Sequence, residues 1–205
     1  MGRGLYQRQI EDRISAYGAG SVFTATDFLD IAPTSAINEA LHRMTANRLI
    51  SRILTGVYHV PKYSDLLEEY LPPRIDLVAD ALSRKYNWSI APSGETALNL
   101  LHLTTQVPNT WTYVSDGPYK SYEIGRYRLH FKNIKTRHIA GLSKNTIMII
   151  QALKTLGRDK VSQEHIDIIR RELNTEDKQT LLKESQTTTR WIYEIIREIC
   201  GEEAR

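Results

Sequence analysis

Residues 34 to 43 offer a row of groups able to read the edges of DNA bases: Thr34, Ser35, Asn38, Glu39, His42 and Arg43, followed by Arg48 and Arg52. Asparagine pairs with adenine and arginine with guanine through two hydrogen bonds each, while serine and threonine hold phosphate oxygens. The same residue types make up any solvated helix face, so their surroundings must decide. A second set of cations, Arg126, Arg128, Lys132, Lys135, Arg137 and Lys144, is interleaved with Tyr119, Tyr122 and Tyr127. Such a run could follow a nucleic-acid backbone by charge and counterion release. It is equally the pattern of a solvated sheet face whose cations keep an edge strand from pairing.

Catalytic chemistry has little representation. The chain holds no GxxxxGK[ST] phosphate loop, no HExxH and no GxSxG elbow. Its six histidines, His102, His130, His138 and His165 among them, include no pair at metal-ligand spacing, so they read as surface or satisfied core groups. The carboxylates Asp80, Glu95 and Asp116 could still meet in space, which leaves an enzymatic second domain as an alternative. The expectation is a protein with no enzymatic activity, no cofactor and no metal.

Composition sets the frame for these groups. A chain of 205 residues, 41% hydrophobic and 25% charged, is long enough for one domain or two small ones with a sizeable core. The opening "MGRGLYQRQIEDR" lacks an apolar signal segment, and no later apolar run approaches the roughly 20 residues that span a bilayer. A cytoplasmic protein without a membrane partner is expected. The single cysteine, Cys200, excludes an internal disulfide framework and a cysteine-based zinc site. The net charge of +3 says little alone, but its distribution is uneven. Residues 1 to 60 hold six arginines and five acids, whereas residues 116 to 144 hold seven lysines or arginines and two acids.

The elements that must position the first row follow from periodicity. "LYQRQIEDRISAYG" carries Leu5, Ile10, Ile14 and Tyr17 at helical spacing and ends at Gly18. "FTATDFLDIA" predicts a short second helix capped by Thr24 or Thr26, with Phe28 and Leu29 inward. After Pro33, "TSAINEALHRM" places Ile37, Ala40, Leu41 and Met44 on one stripe, with Thr34 or Ser35 as its cap. "LISRILTGVYHV" then reads as two strands around Thr55-Gly56. This is the order of a winged helix-turn-helix, in which the second helix of the motif enters the major groove. Modules of the same order that bind only protein exist, so an adaptor remains an alternative.

Pro61 and Pro72-Pro73 mark a linker over residues 61–73. Beyond it, "RIDLVADALSRKY" and "PSGETALNLLHL" predict amphipathic helices, the second capped by Ser93. "WTYVS", "SYEIG" and "RYRLHFKNI" predict strands, and in the last of them Tyr127, Leu129 and Phe131 alternate with Arg126, Arg128, His130 and Lys132. From residue 143 onward four further helical patterns follow, ending in "RWIYEIIREIC". The expected fold class is α+β: a winged helix-turn-helix at 1–60, a linker, and a mixed α/β domain at 74–205 ending in a helical segment.

In this order, "ATDFLDIA", "SAINEALHRM", "RLISRILTGVYHVP", "IAPSGETALNLLHLTTQVP", "YVSDGP", "LHFKNI" and "KTRHIAGL" resemble the AbiEi-like antitoxins of type IV toxin–antitoxin systems. The likeness runs over about residues 5 to 200, and "PSGETALNLLHLTTQVP" and "YVSDGP" are its most specific parts. It implies a transcriptional repressor that binds double-stranded operator DNA of its own operon. It also implies a C-terminal domain that counteracts a nucleotidyltransferase-type toxin without a stable complex. The DNA-reading role transfers to the helix at 34–44 and the wing from Arg52 to Tyr58. The near-balanced charge of residues 1 to 60 departs from a strong DNA binder, so phosphate contacts would have to come from the basic middle segment or from a homodimer.

Overall fold

The computed structural model describes residues 3–135 and 141–201. The chain is α+β and divides into two compact units, Met1–Trp88 with Glu123–Arg126, and Ser89–Tyr122 with Tyr127–Arg205.

The first unit opens with α1 (Arg3–Tyr17), β1 (Val22–Thr24) and a single 3-10 turn (Ala25–Phe28). Next come α2 (Thr34–Ala46), β2 (Ser51–Leu54) and β3 (Val57–His59). β3 lies between β1 and β2 and is antiparallel to both, with Phe23 opposite Tyr58 and Arg52 opposite the same Tyr58. Helix periodicity is borne out at Ile10, Ile14, Ile37, Leu41 and Met44, all buried in one core with Phe23 and Phe28. Each fully buried aliphatic side chain there contributes roughly 1.5–3 kcal/mol.

Two local expectations fail. The second helix shrinks to one 3-10 turn because Val22–Thr24 is drawn into the sheet, and one such turn buries Phe28 while Leu29 stays 55% exposed. Helix α2 is started by Pro33, not by Thr34 or Ser35. Its fixed φ of −61° sets the entry, and its carbonyl accepts the first helical hydrogen bond from Ile37 at 3.1 Å.

The expected linker is structured. Lys62–Ser64 (β4) and Glu69–Leu71 (β5) form a two-stranded antiparallel sheet, with Tyr63 opposite Tyr70. Helix α3 (Ile75–Tyr86), placed by its sequence at the head of the second domain, belongs to the first unit. Arg84 explains the attachment: it forks onto the Asp27 carboxylate at 2.9 and 3.1 Å and donates to the Val22 carbonyl at 3.3 Å.

The second unit is built on a sheet of order β6-β7-β9-β8: Ile90–Pro92, Thr110–Ser115, Tyr127–Asn133 and Lys120–Ile124, of which Glu123 and Ile124 at the end of β8 are grouped with the first unit. β6 and β7 are antiparallel, while β7 and β9 are parallel, with Trp111 opposite Leu129. The helices are α4 (Glu95–Leu100), α5 (Lys144–Leu156), α6 (Gln163–Glu172), α7 (Thr175–Ser185) and α8 (Arg190–Cys200). Ile149, Leu153, Ile169, Leu181, Ile192 and Ile196 anchor their shared core. Ser93 does not cap α4. It is buried, and Gly94 takes that position at φ +59° and ψ −145°, a conformation reserved to glycine. No helix among the described residues is long and apolar enough to cross a membrane.

Candidate nucleic-acid interface

Helix α2 separates packing from presentation. Ile37, Ala40, Leu41 and Met44 are at most 5% exposed, whereas Thr34, Ser35, Asn38, Glu39, His42 and Arg43 all face solvent. Ser35, Asn38 and His42 stand at i, i+3 and i+7, one row along the helix. At 1.5 Å per residue this row is ~10 Å long, short enough for the roughly 12 Å width of a major groove. Thr34, Ser35, Asn38 and His42 make no side-chain hydrogen bond among the described residues, so the row is unoccupied by the protein itself.

Arg43 is different. One guanidinium nitrogen donates to Gln7 Oε1 at 2.7 Å, and the other is paired with the Glu39 carboxylate one turn back. Gln7 in turn donates to Glu11 at 2.8 Å. The arginine therefore ties α2 to α1, and a base contact would require it to exchange both partners. Sequence periodicity puts Arg43 on the outer face correctly but has no view of Gln7, 36 residues earlier.

The wing is compact. Gly56 turns at φ +74°, and Lys85 of α3 donates from Nζ to the Thr55 carbonyl at 2.6 Å, so the turn is held from below. Arg48, in a left-handed conformation at φ +59°, and Arg52 are exposed and carry no ion pair among the described residues. Tyr58 does not join them. Its ring stacks on Phe23 with centroids 6.1 Å apart and planes 18° apart, and it packs against the core of the unit. His59, next to it, is buried, and that burial holds its imidazole below the ordinary histidine range. Charge remains balanced over the larger unit: residues 1–88 contain ten lysines or arginines and ten acids.

In the second unit the alternation of β9 is borne out. Leu129 and Phe131 are fully buried, Arg128 and Lys132 are exposed, and His130 is half-buried, its Nδ1 2.7 Å from the Ser121 hydroxyl. Lys135 and Lys144 are also exposed, as is Arg126, which is grouped with the first unit. Arg137 and His138 lie outside the described residues. Tyr119 is exposed, but Tyr122 and Tyr127 are partly buried, and Tyr122 meets Phe131 edge-on at 6.1 Å. The face is thus cationic without a continuous aromatic platform.

The residues considered for catalysis have structural duties where their partners are defined. Asp116 accepts the Ser89 N–H at 2.9 Å, and His165 completes a capping box with Ser162 at the start of α6. Among the described residues no group of three or more His, Cys, Asp or Glu could hold a metal ion. Comparison with known proteins gives one family: residues 9–181 match the model described as "Family of unknown function (DUF6088)". No curated protein matches the chain.

Proposed function

The chain belongs to DUF6088, a family of unknown function, and from its exposed helix face and its sequence resemblance we propose that it is a repressor and antitoxin of a type IV toxin–antitoxin pair. Its first unit reads double-stranded operator DNA through α2, with Arg48 and Arg52 beside the β2–β3 wing holding phosphates. Its second unit counteracts a nucleotidyltransferase-type toxin, and neither unit is an enzyme. The observation that carries the DNA half is the outer row of α2, where Thr34, Ser35, Asn38 and His42 stand exposed without a partner among the described residues, on a helix whose other face is buried. The antitoxin half is supported by the resemblance of "PSGETALNLLHLTTQVP" and "YVSDGP", and its place of action is the cytoplasm.

The balanced charge of residues 1–88 bears on mechanism. With little long-range attraction, binding to random DNA should be weak, and recognition must rest on short-range base contacts or on two copies sharing a palindrome. Gel shifts on the DNA upstream of its own gene, against a scrambled duplex and across a salt series, test the first half. Retardation specific to the upstream DNA that weakens as salt rises is expected; no retardation at low salt removes it. Co-expression with the product of the neighbouring reading frame tests the second half: Asn38→Ala should weaken operator binding and keep toxin rescue.

A further inference from the structure

Beside the wing lies a groove of about 770 Å³, within the first unit, to which the proposed DNA reading assigns nothing beyond its two arginines. Arg48 and Arg52 line it from the end of α2 and from β2, and Tyr70 and Leu71 of β5 line it from the hairpin that replaces the expected linker. Ile50 and Pro73 add apolar surface. Its volume falls in the range of small-molecule sites, and its chemistry is mixed in the way such sites are: largely apolar walls with a few convergent polar groups. Two guanidiniums without an ion pair among the described residues, on the wall of a largely apolar groove, favour an anion whose oxygens accept forked hydrogen bonds, as those of a carboxylate or a phosphate do. Tyr70, 69% exposed and braced edge-on by Tyr63 at 5.3 Å, offers a ring face for a flat apolar body.

We infer that this groove binds a small organic anion, a carboxylate or phosphate carried on a flat ring, and that the bound anion withdraws Arg48 and Arg52 from DNA phosphates. The second clause rests on the proposed DNA reading; the first does not. Ligand and DNA then compete for the same two cations. The groove couples the ligand to the wing because Arg52 stands on β2, opposite Tyr58 of β3, while Arg48 follows the Asn47 cap of the reading helix.

Calorimetry on the full chain with salicylate, and separately with adenosine monophosphate, tests the site without DNA. Saturable binding of either probe at about one per chain is expected, weakened roughly ten-fold in Arg52→Gln, which removes a charge-assisted hydrogen bond, and roughly two- to ten-fold in Tyr70→Ala, which removes the ring face. Lys160→Ala, an exposed lysine of the second unit, should bind as the unaltered chain does. Arg48→Asn provides a second charge removal, asparagine being well tolerated at positive φ, and unchanged thermal midpoints would show that the variants fold. No saturation by either probe at millimolar concentration, or binding that survives both Arg52→Gln and Tyr70→Ala, overturns the site. Gel shifts with and without the probe that binds complete the test: reduced affinity for upstream DNA is expected, and unchanged affinity overturns the competition. A chain that binds the probe and never the DNA removes the repressor reading and leaves the groove's ligand in place.

Discussion

Arg84 and Asp27, 57 residues apart, form a forked ion pair at 2.9 and 3.1 Å that fastens α3 to the helix-turn-helix. The same carboxylate accepts the Thr24 N–H at 2.9 Å, so Asp27 both starts the 3-10 turn and receives the helix that closes the unit. The two roles predict unequal mutants. Asp27→Ala loses the cap and the fork and should cost about 2 kcal/mol. Arg84→Ala leaves the cap and, with Arg84 47% exposed, should cost about 1 kcal/mol or less. Urea denaturation of both and of the double variant measures this, and a double variant less destabilised than the sum of the two singles would show the pair acting as one, the Arg84 bond to the Val22 carbonyl being lost besides. Full additivity would contradict it.

On α2, Asn38→Ala should weaken operator binding by roughly 5- to 100-fold, the range for one lost two-hydrogen-bond base contact, and leave random DNA almost unaffected. Arg43→Ala should lose less, since its guanidinium is engaged by Gln7 and Glu39. Arg52→Ala should weaken both DNAs and lower the salt slope by about one. Competition gel shifts across salt distinguish these, and equal losses for all three variants on both DNAs would refute base reading by this face.

Burial holds the His59 imidazole below its ordinary value of 6.5. The unfolded chain therefore takes up this proton first as the medium is acidified, so stability present above about pH 6.5 declines below it. His59→Phe should flatten the pH dependence of unfolding between neutral and mildly acid conditions. An unchanged slope would mean that the residue stays accessible to protons in the folded protein.

Glu184 of α7 reaches the start of α5, where its Oε2 accepts the Ser143 N–H at 2.8 Å and the Ser143 hydroxyl at 2.9 Å. Burial pushes this carboxyl up, but the hydrogen bonds from Thr146 and Ser143 outweigh it and hold the group below the ordinary glutamate value of 4.5. A lowered folded value means that the contribution is full above about pH 4.5 and is lost as acid protonates the group. Glu184→Gln should therefore narrow its stability deficit as pH falls from 7 toward 3. A deficit that stays constant over that interval would contradict the assignment.

Much of the candidate interface was legible in sequence because one period decided it. In α2 the spacing of Ile37, Ala40, Leu41 and Met44 fixes which residues remain outside, and Thr55-Gly56 fixes where the wing turns. The affiliation of α3 was not legible, since Val78, Ala79 and Leu82 define an inner face without saying which core it meets. Arg84 settles that through a partner near the other end of the unit. The β4–β5 hairpin was hidden for a different reason. Its strands are three residues long and its turn reads "DLLE", while the flanking prolines look like punctuation. The packing of Tyr58 was not legible either, because a strand of three residues gives too little alternation to show that its ring stacks on Phe23.

Pro33 starts α2 with its backbone alone, so no exposed side chain is spent on holding the helix together at its entrance. Thr34, Ser35, Asn38 and His42 can each be exchanged with little penalty to folding. For a DNA reader this separates address from architecture. Descendants of one gene could drift to new operators one substitution at a time, each intermediate remaining folded, and so stop silencing one another inside the same cell.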